Sequence, residues 1–385
     1  MLIKSVISYK EALEIVKKHF KPNISEVSLI NSLNKICGED IKALISLPYF
    51  KSSAMDGYAV RAEDVRGASE TNPIILRLVD KEEIDEGEAK KVFTGSPLPE
   101  NADSVVMKEF CREDNELVEV YKTVFKGENV REIGEDVKKG ELILKKGDKI
   151  RGFHLALLSS LGVRKVKVYD LTFGIINTGD ELIELEEFNI NKLNHKIVNS
   201  NLFLLSGLIN ELGFNYKYYG IVKDDPEKLK DVIKKAIDEV DSLIITGGTS
   251  VGERDYSVKV AKELGTLLIH GVNTRPGKPF AFSLIKDKPV FLLSGYPVAL
   301  LTQFELFIYR LITKRKKVKL PLSRGVASEL GRLDLLRVKV YDKVEPLRIG
   351  GSGIISSLIK SDGYLLIPEN VEGYEKGEEV EVYLW

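Results

Sequence analysis

The 385-residue sequence contains only two cysteines, Cys37 and Cys111, and a single glutamine, Gln303. So few cysteines argue against a disulfide framework and favour a reducing compartment, so we expect a cytoplasmic protein. No stretch approaches the roughly 18 apolar residues of a membrane span, and the first residues lack the apolar core of a signal peptide. The formal net charge of -1 provides no global basic surface, so neither nucleic acid nor membrane is an expected partner.

Several catalytic motifs are also missing. The four histidines, His19, His154, His195 and His270, are scattered, and no HExxH or paired CxxC occurs, which argues against a structural or protease-type zinc site. GxSxG is absent, which argues against the commonest serine hydrolase elbow.

The pattern of apolar residues changes along the chain. Ser8 to Phe20 is typical of an amphipathic helix with Ser8 as its cap, and short strands between turns follow. From Lys165 apolar strands alternate with helices, which predicts a mostly parallel sheet covered on both faces. After Thr313 the pattern returns to β. The basic run from Lys314 to Lys319 is interpreted as a solvated linker rather than a nucleic-acid patch.

We therefore predict a multidomain α/β plus β fold. Its expected parts are a helical or mixed linker domain (1–46 with 132–164), a β-rich insert domain (47–131), a central three-layer α/β domain (165–313) and a small, barrel-like C-terminal β domain (314–385).

Three glycine-bearing loops follow apolar strands of the α/β part: NTGDEL, TGGTSVGERDY and LSGYP. Ligands of an open parallel sheet bind beyond the carboxyl ends of its strands, so the three loops should share one rim. Gly247 and Gly248 let backbone N–H groups approach an anion, and Thr249 and Ser250 add hydroxyl donors. Taken alone, two glycines at a strand end are usually only a turn, and their spacing matches neither GxGxxG nor GxxxxGK[ST].

Carboxylates lie beside this predicted anion site. Glu253 and Asp255 would repel an anion unless a cation lay between them, and Mg²⁺ joins carboxylates to phosphates in this way. Asp180 and Glu181 stand in the first loop, although first-turn helix carboxylates are an alternative interpretation.

Positive charge comes from the stretch NTRPGKPFAF, where Arg275 and Lys278 flank Pro276-Gly277. A stiff turn of this kind would hold a guanidinium and an ammonium close enough for one oxyanion. A solvated basic turn is the alternative.

Eight stretches together resemble one family, in the order in which the family has them: SSAMDGYAV, TGSPLPENADSVVM, REIGEDVKKG, NTGDEL, TGGTSVGERDY, RPGKPFAF, LSGYPVA and GSGIISSL. They resemble molybdopterin molybdenumtransferase, the MoeA family, which is similar to the E domain of gephyrin. The resemblance covers nearly the whole chain, from about Ser8 to Trp385. It implies a homodimer whose α/β domain is similar to molybdopterin adenylyltransferase.

The implied reaction joins molybdate or tungstate to adenylylated molybdopterin and releases AMP with Mg²⁺ as cofactor. A molybdopterin adenylyltransferase is a candidate partner. Two rival functions remain open at this level: a non-catalytic scaffold like gephyrin, and a molybdopterin adenylyltransferase that consumes ATP.

The resemblance also implies roles for individual residues. The catalytic candidates are Asp56, Asp136, Glu181 and Asp255. The metal-binding candidates are Asp180, Glu181, Glu253 and Asp255. The substrate-binding candidates are Thr94, Arg131, Thr178, Gly247, Gly248, Thr249, Ser250, Arg275, Lys278, Ser294 and Ser352. Gly271 departs from the family, which often has a basic residue four positions before Arg275.

Overall fold

The computed structural model describes residues 6–192, 195–249, 256–347, 351 and 353–385. The chain forms two compact units, one of Met1–Glu39, Lys146–Arg151 and Lys165–Trp385, the other of Asp40–Lys145 and Gly152–Arg164. The fourfold division of the chain stays a prediction. Within the described ranges no helix combines the length and the apolarity needed to span a bilayer.

The first helix begins where the sequence predicts it. Ser8 precedes Tyr9–His19, and its hydroxyl oxygen accepts the N–H of Glu11 at 3.1 Å. The α-helices are Tyr9–His19, Gly152–Ser160, Ser200–Glu211, Pro226–Glu239, Tyr256–Leu264, Pro297–Phe304, Arg310–Ile312 and Ser356–Ile359, with a π-helical turn at Glu305–Tyr309.

The helix Ser200–Glu211 begins without a side-chain cap. Ser200 is the first residue of its helix, and Asn199 occupies the cap position without a side-chain capping bond. The Asn199 amide is engaged elsewhere, because its Nδ2 donates to Asn177 and to Tyr218.

The α/β domain of the first unit contains a six-stranded sheet. In spatial order its strands are Asn215–Val222, Thr172–Thr178, Ser242–Thr246, Lys288–Leu293, Ala281–Ile285 and Thr266–His270. The first four run parallel, and the last two are antiparallel to their neighbours. The mostly parallel sheet predicted from the sequence is thereby confirmed.

Alternation along the strands gives this sheet two buried faces. Ile244 packs in a cluster with the helices Ser200–Glu211 and Pro297–Phe304, whereas its neighbours Leu243 and Ile245 pack with the helices Pro226–Glu239 and Tyr256–Leu264. Successive side chains of a strand point to opposite faces, so the sequence of a strand that is covered on both sides is a continuous apolar run. The result is the expected three-layer α/β arrangement.

The remaining strands of the first unit form smaller sheets. Asn23–Ser28 pairs antiparallel with Lys165–Asp170, and Leu182–Ile183 pairs parallel with Ile197–Val198. The C-terminal β sheet has the order Thr274–Arg275, Leu333–Val340, Gly363–Ile367, Glu379–Leu384 and Lys317–Pro321, with Val344–Pro346 paired to Leu333–Val340. Val326–Ala327 pairs with Gly373–Tyr374. Thr274–Arg275 thus carries the basic turn of the α/β domain into the C-terminal sheet.

The second unit is β-rich, as predicted. Its main sheet has the order Ser104–Met107, Gly57–Val60, Glu88–Val92, Ile74–Leu78, Leu117–Val120 and Cys111–Asp114. Two short pairs accompany it: Ser52–Ser53 with Val130–Arg131, and Ile41–Lys42 with Leu142–Leu144.

The interpretation of the basic run at Lys314 as a solvated linker is wrong for Arg315. Its side chain is only 4% exposed, forms ion pairs with the fully buried Glu305 and with Glu211, and lies 3.7 Å from the ring centre of Tyr309. The exposed Lys317 pairs with Glu381 at 2.7 Å on the strand Lys317–Pro321. One cation of this run is therefore buried just before the strand and others are exposed, which composition alone does not reveal.

Arg315→Met should lower the free energy of unfolding by about 3 kcal/mol or more, because it leaves Glu305 buried without its cation. Burial raises the pKa of Glu305. In the variant the Glu305 carboxyl binds a proton more readily in the folded protein than in the unfolded chain. The loss of unfolding free energy should therefore become smaller as the pH falls.

Lys317→Met is the matched control, since it removes an exposed pair and should cost at most about 1 kcal/mol. Urea unfolding at neutral and at mildly acidic pH measures both variants. Equal losses of unfolding free energy in the two variants would contradict the stabilising role of the buried Arg315–Glu305 pair.

Candidate functional site

Three loops leave neighbouring parallel strands at the same edge of the α/β sheet. They follow Thr178, Thr246 and Leu293, so the rim predicted from the sequence is confirmed. These loops line a first cavity of about 770 Å³ with the start of the helix Ser200–Glu211. The N–H of Gly247 donates to the carbonyl of Leu293 at 3.1 Å, which ties two of the loops together.

Close packing explains the two successive glycines. A Cβ added to Gly247 would lie 2.4 Å from the carbonyl oxygen of Thr178, and one added to Gly248 would lie 2.5 Å from Oγ of Ser257. Both residues have positive φ, 89° and 62°, which L side chains rarely adopt. Ser257 Oγ also donates to the carbonyl of Gly247 at 2.9 Å. The glycines therefore let the backbone fit between the neighbouring strand and the helix Tyr256–Leu264.

A chain of buried polar groups lies beneath the first cavity. Asn177 Nδ2 donates to Thr246 Oγ1 at 2.6 Å, and Asn199 Nδ2 donates to Asn177 Oδ1 at 3.0 Å and to the hydroxyl of Tyr218 at 2.9 Å. The Tyr218 hydroxyl donates to Glu184 at 2.7 Å, and burial followed by this bond raises the pKa of Tyr218. The sequence interpretation missed this network; an asparagine at the end of the apolar strand FGIINT is the signal that could have shown it.

The two carboxylates of the first loop have different surroundings. Glu181 is exposed and lines the first cavity together with Asp224, whereas Asp180 lies beside it and accepts the N–H of Asp224 at 3.2 Å. The carbonyl of Asp180 accepts a bond from Lys196 Nζ at 2.5 Å. Glu253 and Asp255, the other metal-binding candidates, lie outside the described residues, as does Ser250.

Within the described ranges no group of three or more histidine, cysteine, aspartate or glutamate side chains is arranged to hold a metal ion. The donor chemistry of the first cavity nevertheless fits Mg²⁺. This ion takes oxygen ligands, keeps several waters and is commonly held by one or two carboxylates with substrate phosphates. Glu181 and Asp224 supply such oxygens at the edge of an open cavity.

A second cavity of about 870 Å³ adjoins the first, and Pro279, Ser294 and Tyr296 line both. Arg275 and Lys278 line the second cavity, so the structure brings together the two cations that the sequence placed on one turn. Within the part of the chain that the structure describes, the buried hydroxyl Oγ1 of Thr274 has no hydrogen-bond partner. Ser352 lies outside the described residues, but its neighbours Gly351 and Gly353 line the second and the first cavity respectively.

Cations of the C-terminal domain, which the sequence interpretation missed, also line the second cavity: Arg324, Arg332 and Arg337. Asp334, 2% exposed, pairs with Arg275 and accepts from Arg332 Nε at 2.8 Å. The stretch GRLDLLR carries Arg332, Asp334 and Arg337, but it was interpreted only as part of a separate β domain. Among the described residues, five cations thus line one cavity with a single carboxylate, so the cavity suits an anion.

The second unit contains the candidates Asp56, Thr94, Arg131 and Asp136. Asp56 Oδ1 accepts the N–H and the hydroxyl of Thr94, both at 2.9 Å, and these bonds lower the pKa of Asp56. Arg131 pairs with Ser52 in a two-residue strand, and the N–H of Asp136 donates to the carbonyl of Leu47 at 3.0 Å. Asp56 and Thr94 therefore form one contact group.

Three family models cover most of the chain. The MoeA N-terminal region (domain I and II) matches residues 7–162, a probable molybdopterin binding domain matches 174–314, and the MoeA C-terminal region (domain IV) matches 319–385. The chain belongs to the MoeA family.

Relatives of the MoeA family match it end to end. A protein of Methanocaldococcus jannaschii, assigned by name to molybdopterin biosynthesis, is 62% identical over 100% of this chain and 99% of its own length. The molybdopterin molybdenumtransferase of Staphylococcus epidermidis is 32% identical over 99% of this chain and 96% of its own length. The crystal structure of the molybdopterin biosynthesis MoeA protein from Pyrococcus horikoshii OT3 has a TM-score of 0.83 and 36% identity, over 99% of this chain and 100% of that one.

Gly247→Ala should lower the free energy of unfolding of this MoeA protein by about 2 kcal/mol or more, because a Cβ meets the Thr178 backbone at a positive φ. Gly207→Ala is the matched control. Nothing lies within 4 Å of its added Cβ, and this exposed helical position should gain about 0.5–1 kcal/mol. Thermal unfolding compares the two, and an unchanged Gly247→Ala protein would refute the packing argument.

Proposed function

We propose that the chain is a molybdopterin molybdenumtransferase, which inserts molybdenum from molybdate into adenylylated molybdopterin and releases AMP. The observation that carries this function is the pair of adjoining cavities. One is formed by strand-end loops that suit a phosphate, the other is lined by cations that suit an oxyanion, and Ser294 lies between them. Two negatively charged reactants repel each other in water, so a site that holds both side by side removes much of the cost of bringing them together.

In this proposal the first cavity holds the adenylylated pterin. Gly247 and Gly248 have no side chain in the way of a phosphate, and Thr178 and the buried Thr249 stand at the ends of the strands beside them. Thr178 Oγ1 donates to the carbonyl of Thr246 at 3.1 Å, so its hydroxyl oxygen keeps its capacity to accept a bond from a ligand. The loops thus orient the substrate without any nucleophilic side chain.

The second cavity holds the oxyanion. Lys278 presents a compact charge, and the arginines of the C-terminal domain add positive charge to the wall around it. Asp334 holds Arg275 and Arg332 in place. Molybdate and tungstate have nearly the same size and charge, so this charge arrangement accepts either.

Mg²⁺ is part of the same proposal. Bound at Glu181 and Asp224, it would supply positive charge for the phosphate that leaves with AMP. The role of the chain is to hold these carboxylates at the cavity edge. Glu253 and Asp255 remain candidates from the sequence for the same ion.

The two rival functions have less support. A scaffold does not need five cations converging on a cavity next to a strand-end loop site, and an adenylyltransferase does not need the C-terminal arginines. The relatives named molybdopterin molybdenumtransferase match over nearly their full length. We therefore place molybdenum insertion first.

We also propose that the chain is a cytoplasmic homodimer in which the Asp56–Thr94 group of one subunit completes the site of its partner. The resemblance to the family supports this arrangement, and the hydrogen bonds to Thr94 keep Asp56 ionised and oriented for such a role. A molybdopterin adenylyltransferase that delivers the adenylylated pterin is the proposed partner protein.

Lys278→Met should raise the KM for molybdate about 10- to 100-fold, since a charged hydrogen bond to the oxyanion is lost. The KM for adenylylated molybdopterin should change little. AMP release from purified protein, adenylylated molybdopterin, molybdate and Mg²⁺ measures both constants. Lys319→Met, at an exposed lysine paired with Glu379, is the control and should behave as wild type.

The same assay separates the rival functions. No AMP from the wild-type protein would favour a scaffold, and ATP consumption without molybdate would favour an adenylyltransferase. EDTA should stop AMP release and added Mg²⁺ should restore it, while Glu181→Gln should require more Mg²⁺ for half-maximal release. Release that is indifferent to EDTA would remove the metal from the proposal.

Mixing equal amounts of Asp56→Ala and Lys278→Ala proteins, at a molybdate concentration at which neither alone releases appreciable AMP, tests the shared site. Random exchange of subunits makes half of the dimers mixed, each with one intact site, so about a quarter of the wild-type AMP release should return. A mixture that stays inactive although mass measurement of tagged subunits shows exchange would place Asp56 outside the partner's site.

A further inference from the structure

The only glutamine of the chain, Gln303, lies behind both cavities and lines neither. It is 0% exposed, on the helix Pro297–Phe304. Its Oε1 accepts the backbone N–H of Ser294 at 2.7 Å, and its Nε2 donates to the carbonyl of Gly277 at 2.8 Å. One side-chain amide therefore connects two loops that are 17 residues apart in sequence.

Both ends of this bridge belong to the proposed site. Ser294 follows the strand Lys288–Leu293 and lies where the two cavities meet. Gly277 immediately precedes Lys278 on the basic turn. The amide is thus bonded to the loop between the cavities and to the turn that carries the oxyanion-binding lysine.

The turn also rests on the Gln303 side chain by contact. Gly277 has a φ of 106°, and a Cβ added there would lie 3.0 Å from Cγ of Gln303. A primary amide is suited to this place because it carries one acceptor and two donors on one planar group. An apolar side chain of similar size fills the same space and leaves the N–H of Ser294 and the carbonyl of Gly277 without these partners.

We infer that Gln303 is a positioning residue for the oxyanion, fixing the spacing between Ser294 and Lys278 without touching the substrate. The inference rests on the proposed function, since it names what holds the second cavity in its binding geometry. The amide bridge keeps the turn and the loop in one arrangement, so binding the oxyanion does not have to order them.

Gln303→Leu removes both bonds while keeping an apolar stem of similar length. Thr302→Val is the matched control: Thr302 is 1% exposed on the same helix, and its hydroxyl donates only to the carbonyl of Val298 at 2.9 Å, within the helix. The KM for molybdate should rise at least 10-fold in Gln303→Leu and stay within twofold of wild type in Thr302→Val. The KM for adenylylated molybdopterin should move far less in either variant.

Titration with molybdate alone, followed by calorimetry, measures the same geometry without turnover. The dissociation constant should weaken at least 10-fold in Gln303→Leu only, and the Ser294 amide should exchange its hydrogen at least 10-fold faster. Equal molybdate constants in the two variants, or a wild-type protein that does not bind molybdate, would overturn the inference. A wild-type protein that binds molybdate normally but releases no AMP would refute the proposed function and leave the positioning role supported.

Discussion

The register of three parallel strands is the constraint on which the site depends. Thr246 pairs with Asn177 on one side and with Leu293 on the other, so the three strands end at the same level of the sheet. The loops that follow leave side by side, and the helices on both faces keep them from spreading apart. A shift of one residue in this pairing would turn the side chains of a strand to the opposite face and separate the loops. The cavity is in this sense a property of the sheet rather than of any one loop.

The sequence was sufficient to predict the alternation of strands and helices, the common rim and the pairing of Arg275 with Lys278 on one turn. These features follow from local patterns, namely apolar runs of strand length and glycine or proline at their ends. It was not sufficient to show that Arg324, Arg332 and Arg337 face the same cavity, because that requires the C-terminal strands to be placed against the α/β domain. It also did not reveal Asn177 and Asn199 as a buried network, since hydrogen bonds between distant strands leave no periodic signal.

The buried polar groups have a different role from the charged side chains that line the cavities. Asp334 and Gln303 are almost fully enclosed, and each holds two other groups of the second cavity. A polar group buried without partners is costly, so each of these side chains is stable only in the arrangement that satisfies it. The turn at Gly277 and the C-terminal strand at Asp334 are thus held by buried side chains, while the cations of the turn and of the C-terminal domain line the cavity. Gly271, where the chain departs from the family, has a φ of 95°, a backbone conformation that suits glycine and disfavours any residue with a side chain.

The ion pair between Arg315 and Glu305 has a consequence for how such a chain is divided. Composition marks the stretch near Thr313 as a seam between two modules, yet Glu305 on the α/β side is neutralised by Arg315 and also accepts a bond from Tyr364 of the C-terminal sheet at 3.2 Å. A gene fragment that ends near Thr313 would leave the buried Glu305 carboxylate without Arg315 and Tyr364, the two partners that the missing part provides. A C-terminal domain exchanged between relatives would then fold with the α/β domain only if it carries the equivalents of Arg315 and Tyr364. The two domains are therefore exchangeable only together with these partners of Glu305.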